Sequence, residues 1–331
     1  MKSGFAILPL AVLVLVLAGR AHGAQRTAEP AQVAGQKYVR LTDWAKANRF
    51  EVGWLKPEET LQLSNRWSRI LVAVDSREAQ INGVRVWLLY PAVAQSGTLG
   101  LAQLDVEATL RPLLWPPRNQ LGAKVRTVCL DPGHGGKDPG NQVGSSQEKQ
   151  HTLLLAKEVR AQLARAGLKA TLTRSTDSFV ELPARPELAK RRSADLFVSL
   201  HFNAAEASRN TVHGAEVYCL TPAGASSTNA RGEGEGGGWF AGNRHNEQNL
   251  YLAYQVQKAL TQNLAAEDRG VRRARFAVLR DAVMPAVLIE AGFLSHPAEG
   301  RQIVTAAYRR KIAHAIVEGL LAYKRAVEQG T

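Results

Sequence analysis

Between residues 125 and 293 the chain repeatedly runs apolar for four or five residues and then stops at a polar one. The runs lie at 127–130, 170–173, 196–200, 216–220 and 286–289, and helical patterns separate them. One helix is predicted near 149–166, with Leu155, Ala156, Val159 and Leu163 on one face and Gly167 as its natural stop; others are predicted near 250–264 and 308–326. Short, nearly continuous apolar strands alternating with helices are the mark of a largely parallel sheet covered on both faces. The predicted fold class is therefore α/β: a largely parallel central sheet flanked by helices.

Residues 36–118 read differently. Strand-like alternation dominates, and Asn82-Gly83 sits between 78–81 and 84–88, the strongest short signal for a hairpin. Thr42 or Asp43 can cap a short helix through Asn48, and Asp105 another through Leu110. Five of the six tryptophans (44, 54, 67, 87 and 115) fall here and are expected mostly in its core, since a module of about 80 residues needs large side chains to bury enough area. Pro112, Pro116 and Pro117 then break the pattern. The 331 residues thus divide into a small α+β domain, 36–118, and an α/β domain, 124–331.

The amino terminus carries an address. Lys2 precedes an apolar stretch at 5–18, and Ala21-His22-Gly23 places small residues where a signal peptidase reads, so residues 1–23 are expected to be a signal peptide and 24–35 a linker. An apolar stretch of about 14 residues is too short to span a membrane, which takes about 20. No membrane anchor is expected once the leader is gone. The formal charge is +13, from 42 Lys and Arg against 29 Asp and Glu; removing Lys2 and Arg20 leaves 40 − 29 = +11. An exported basic protein meets a polyanionic envelope rather than nucleic acid. Two cysteines, Cys129 and Cys219, exclude a disulfide scaffold, and each lies in an apolar run where it reads as a buried thiol. The Gly-, Ser- and Asn-rich stretch 221–248 reads as a long mobile loop.

Three apolar runs end in residues that bind metals: Leu130-Asp131-Pro132-Gly133-His134-Gly135-Gly136, Val198-Ser199-Leu200-His201-Phe202-Asn203 and Leu288-Ile289-Glu290-Ala291-Gly292-Phe293. In an α/β sheet ligands gather beyond the carboxyl ends of the strands, so these ends should converge. Glu148, at the mouth of the first helix, is a fourth candidate. Two His and one carboxylate make a catalytic zinc site with one position left for water, and a further carboxylate can take that water's proton. His134, Glu148 and His201 would be ligands and Glu290 the base. The gaps of 13 and 52 residues between ligands match no short zinc motif, so spacing alone leaves this reading level with four unrelated structural residues. Gly133 to Asp138 is not a phosphate loop, because Asp stands after Gly-Lys where Ser or Thr would hold magnesium. The basic residues at 190–192 and Arg269, Arg272, Arg273 and Arg275 read as a solvated face, with contact to substrate carboxylates as the alternative.

These three segments, together with Lys137-Asp138-Pro139-Gly140, Glu148-Lys149, Thr173-Arg174-Ser175-Thr176-Asp177, Arg185 and Phe293-Leu294-Ser295, resemble in order the zinc-dependent N-acetylmuramoyl-L-alanine amidases of the type 3 class over about 124–326. The resemblance implies one Zn2+ held by His134, Glu148 and His201, with Glu290 catalytic and Asn203, Arg174 and Arg185 as substrate-binding residues. It implies peptidoglycan as partner, location in the periplasm or cell envelope of a bacterium, an envelope activator protein as a second partner, and a monomeric enzyme. A non-catalytic wall-binding protein and a zinc peptidase or deacetylase acting on another amide are the alternatives, separable by the products formed. More weakly, Tyr38-Val39-Arg40-Leu41, the stretch 45–54 and Ile81-Asn82-Gly83 resemble the small amino-terminal domain of some copper amine oxidases and several envelope proteins, implying wall binding or docking. Residues 24–120 hold no His and no Cys to bind copper.

Overall fold

A computed structural model describes residues 32–33, 35–95, 97–119, 123–205, 207–229 and 237–328. The leader, most of the linker and residues 230–236 lie outside the described residues; of the expected linker, Gln32–Val33 pairs antiparallel with residues 36 and 37. Among the described residues no helix is long and apolar enough to cross a membrane.

The amino-terminal half holds a small antiparallel sheet of Gln32–Val33, Gln36–Arg40, Thr98–Ala102 and Val93–Gln95 and an antiparallel meander of five strands: β1 (Glu51–Lys56), β2 (Thr60–Ser64), β3 (Arg69–Ala73), β4 (Glu78–Ile81) and β5 (Val84–Trp87). The β4–β5 turn is the expected hairpin, with Ile81 opposite Val84 and positive φ at both Asn82 and Gly83, the requirement of a type I′ turn. The first helix runs Leu41–Ala47 after Arg40, without a side-chain cap from Thr42 or Asp43. Asp105 caps no helix either. It lies inside a continuous helical run, 103–114, and its buried carboxylate accepts from the Leu89 and Tyr90 amides and the Thr109 hydroxyl.

The second half supplies β6 (Thr127–Pro132), β7 (Lys169–Leu172), β8 (Leu196–Asn203), β9 (Ala215–Leu220), β10 (Asp268–Ala274) and β11 (Ala286–Phe293). Helices α1 (Glu148–Arg165), α2 (Asn246–Leu264) and α3 (Ala306–Glu328) cover the sheet. The order β7-β6-β8-β11-β9-β10 has one antiparallel pairing, β9 with β11; the other four are parallel, as the continuous apolar runs require. Cys129 and Cys219 are free buried thiols, as expected.

The two halves share one sheet. β10 pairs in parallel with β5, so the order continues β10-β5-β4-β3-β2-β1 to eleven strands, and one apolar cluster includes Leu63, Ile70 and Val86 together with Leu130, Val198 and Ile289. Leucine, isoleucine and valine fill the meander's interior, while none of the five tryptophans of 36–118 is fully buried: Trp44 and Trp54 pack half-buried against the core, and Trp67 and Trp115 are exposed. The expectation of a tryptophan core fails because the module borrows interior from its neighbour and does not have to close a core alone.

Candidate metal centre

Strands β6, β8 and β11 are adjacent and parallel, so their carboxyl ends open on one edge of the sheet. After Pro132 the chain turns sharply, and His134 adopts a left-handed φ of +61°. A non-glycine residue there is strained by about 1–3 kcal/mol, a cost typical of functional loops. The turn brings Gly133 against the His201 ring, where a Cβ would lie 2.2 Å from Cε1, and Gly140 against Glu148, where a Cβ would lie 2.7 Å from Oε2. Only glycine permits this approach.

Three donors meet in the space so formed. His134 Nε2 is 3.1 Å from Glu148 Oε2, and His201 Nδ1 is 3.0 Å from Glu148 Oε1. The two imidazole rings stand 4.9 Å apart and nearly perpendicular, and the ligand atoms of all three residues lie within 4.8 Å of one another. The other nitrogen of His134, Nδ1, donates to Asp138 Oδ2 at 2.8 Å, which fixes the ring so that Nε2 is the nitrogen facing the centre. Glu148 is 1% exposed and also accepts from the amides of Asn141 and Phe202. Burial would raise its pKa, but the hydrogen bonds from His134 and His201 outweigh it and hold the carboxyl well below its usual range. For His134, burial opposes protonation, while Glu148 and Asp138 more than compensate and raise the pKa.

Glu290 projects from β11, opposite His201 on β8 and opposite Glu216 on β9. Its Oε2 is buried without a hydrogen-bond partner. Burial, and then the nearby carboxylates of Glu148 and Glu216, raise its pKa well above the ordinary value. The four residues line a groove of about 890 Å³ whose apolar walls include Phe179, Leu182, Phe276 and Val278. Two imidazoles and a carboxylate in reach of one point, with a free buried carboxylate oxygen on the same wall, fit a zinc ion with an open coordination position. The predicted convergence of strand ends thus holds.

Arg174, Arg185 and Asn203, the expected substrate-binding residues, all make hydrogen bonds within the protein, and Arg185 also lines the groove. Arg174 donates to the carbonyls of Pro132, Gly133, Lys149 and Thr176. Arg185, 2% exposed, pairs with buried Asp131 at 2.9 Å and donates to the carbonyls of Pro132, His134 and Val180. Both guanidinium groups hold the His134 turn, and Arg185 does so from the wall of the groove. Asn203 donates to Glu216 and accepts from the Ala204 amide.

The arginines at 269–273 are likewise not a solvated face: Arg269 and Arg272 pair with buried Glu216 at 3.2 and 2.9 Å, and Arg273 is 1% exposed. Asp138 and Glu216 escaped sequence reasoning as functional residues. A buried Glu opening the apolar run 216–220 was the available signal for the second. In the expected loop, Thr221, Ser227 and Thr228 are buried, Thr228 bonds to Arg273, and a 3-10 turn at Ala241–His245 leads directly into α2. These described parts are packed rather than loose.

Comparison with known proteins agrees with the geometry. A family model described as N-acetylmuramoyl-L-alanine amidase matches residues 128–322. N-acetylmuramoyl-L-alanine amidase AmiA of Escherichia coli (strain K12) is 36% identical over 233 residues, covering 63% of this chain and 79% of that protein. The solved N-acetylmuramoyl-L-alanine amidase of Clostridium difficile 630 is 32% identical with a TM-score of 0.51, covering 61% of this chain and 97% of that one. Amidase AmiC2 of Nostoc punctiforme is 35% identical with a TM-score of 0.50, covering 61% and 98%. The matched residues 128–322 exclude the amino-terminal module, whose likeness to the copper amine oxidase domain gains no support from them.

Proposed function

The chain belongs to the N-acetylmuramoyl-L-alanine amidase family, and from that premise we propose that it is a peptidoglycan hydrolase cutting the amide between the lactyl group of N-acetylmuramic acid and the L-alanine of the stem peptide. The observation that carries the reading is the meeting of His134, Glu148 and His201 within 4.8 Å, beside the unpartnered buried oxygen of Glu290. His134, Glu148 and His201 are the proposed ligands of one Zn2+. When bound, zinc in such a site polarises a carbonyl and lowers the pKa of water toward about 7.

The chain's own residues divide the remaining work. Asp138 fixes the His134 tautomer, and Arg174 and Arg185 hold the turn that presents it. Glu290 Oε2 takes the proton of the attacking water and passes it to the nitrogen of the leaving L-alanine, the role of a general base and then acid. Phe179, Leu182, Phe276 and Val278 present apolar surface along the groove, which excludes water around the scissile amide.

Finer readings travel with this one: export to the periplasm or cell envelope, action as a monomer, response to an envelope activator protein, and a division in which 124–331 supplies the chemistry and 36–118 docks on the wall. The test is mass spectrometry of peptidoglycan after digestion. Free stem peptides beginning with L-alanine, with intact glycan chains, are expected. Cuts within the peptide or loss of acetyl groups alone would overturn the assignment.

A further inference from the structure

The seam between the two halves of the sheet lies beyond β9 and β10 from Glu290, and a chain of side chains connects the two places. β10 meets β5 at Val271 opposite Val86; the Arg85 amide donates to Asp268 at 2.7 Å and Trp87 Nε1 donates to the Arg269 carbonyl at 2.9 Å. The approach is close enough that a Cβ on Gly270, at φ +91°, would sit 3.0 Å from both the Trp87 ring and the Arg85 side chain. The face of the Trp87 ring covers the guanidinium of Arg272, whose Cζ lies 4.2 Å from the ring centre. The other side of that guanidinium meets Glu216, with Nε 2.9 Å from Oε2.

Glu216 is buried and, beside this ion pair, accepts three hydrogen bonds: from Asn203 Nδ2 at 2.9 Å, the Tyr218 hydroxyl at 2.9 Å and Arg269 Nε at 3.2 Å, while Arg272 Nε is held to it by charge without a hydrogen bond. It stands directly opposite Glu290 in the antiparallel β9–β11 pair. Opposed side chains on one face of such a pair lie about 5 Å apart at Cβ, so two carboxylates share this spot, and the arginines are what make the arrangement tolerable. Yet Glu290 keeps one oxygen free. Something must hold the nearest cations on Glu216 rather than on Glu290.

Resting on the reading of Glu290 as the base, we propose that Trp87 of the amino-terminal meander is a positioning residue for amide hydrolysis. It clamps Arg272 onto Glu216, so that the cation neutralises Glu216 and does not turn to the free oxygen of Glu290. An arginine face against an aromatic ring is an attractive contact that also restricts the guanidinium's rotamers. Without the ring, Arg272 is held only by the ion pair with Glu216 and by its Nη1 bond to the Thr228 carbonyl, so it gains freedom to swing toward Glu290, and each pairing there removes the group that moves the proton. The meander is therefore part of the active-site architecture as well as a module beside it.

The test uses the full-length enzyme with zinc and a soluble muropeptide. Trp87→Ala is expected to keep its zinc and its KM while kcat falls about tenfold, since the defect lies in the chemical step and not in binding. Trp87→Phe, which keeps a ring face, should recover most of the loss; Trp67→Ala, an exposed tryptophan of the same module, should match wild type. Should Trp87→Ala fail to fold, Trp87→Leu, which keeps apolar bulk without the ring, carries the same expectation. Wild-type kcat in the folded Trp87 variants would overturn the proposal, as would a loss accounted for by lost zinc or folded fraction, or a Phe variant no better than Leu. Glu290→Gln measured alongside separates the two readings. Near wild-type turnover there would overturn the base itself, whereas an inactive Glu290→Gln beside a fully active Trp87→Ala would overturn only the clamp.

Discussion

The meander and the parallel strands lie in one sheet but are held together differently. From β1 to β5 each strand pairs with its neighbour in the chain, and the inward positions are plain apolar residues: Leu61, Leu63, Ile70, Val72, Ile81, Val84 and Val86. From β6 to β11 the pairings join distant segments, such as Val128 with Leu196 and Glu216 with Glu290. Buried charge follows the same division. Among the described residues Asp105 is the one buried Asp, Glu, Lys or Arg before residue 124, whereas Asp131, Glu148, Arg174, Arg185, Glu216, Arg272 and Arg273 are buried after it. A desolvated charge costs several kcal/mol unless paired, so its concentration around one set of strand ends marks where the fold gives up stability for chemistry.

The comparison can be broken from the chemical side first. His134→Ala and His201→Ala should each lose zinc and essentially all turnover, and chelation should do the same to the wild type; metal analysis beside an activity assay checks this. Full activity in a metal-free protein would dissolve the distinction between the halves. Next in size, Glu290→Gln should fold, retain zinc and still bind peptidoglycan while turnover falls about 10²–10⁴-fold. Were only its melting temperature to fall, Glu290 would be a structural residue like those of the meander, and Glu148 would have to be reconsidered as the base.

Two stability measurements sharpen the contrast. Arg185→Met leaves Asp131 buried without its ion pair and should cost about 3–5 kcal/mol in denaturant unfolding. Zinc affinity should drop with it, because the same guanidinium holds the His134 carbonyl. Leu63→Ala, at a fully buried meander position, should cost about 2–5 kcal/mol by leaving a cavity. Zinc content and affinity of the folded fraction should stay at wild-type values. A Leu63→Ala variant that lost zinc in proportion would show that the two halves are not separable in this way.

The site was legible to the extent that it lies at strand ends. His134, His201 and Glu290 each follow an apolar run, and a run that must be buried fixes where its last residue emerges; Glu148 sits at a helix start that periodicity locates. The hairpin at Asn82-Gly83 was equally readable, because its turn conformation is a property of two residues. Arg174 and Arg185 were visible as charged residues in matching motifs but not as braces, since a guanidinium's role depends on which carbonyls surround it, and those belong to segments 25 to 53 residues away.

By itself, then, the sequence determined the strand and helix periods and the α/β class, which follow from short-range pattern and burial, and it offered four residues for the centre, which the resemblance to the amidases singled out and spacing alone did not. Only the tertiary structure decided that the meander extends the catalytic sheet through a single parallel pairing at Val86 and Val271, and that Glu216 faces Glu290 with Arg272 held between Glu216 and Trp87. Pairing of distant edges depends on which strand is left uncovered once every other surface has packed. No local run of residues encodes that.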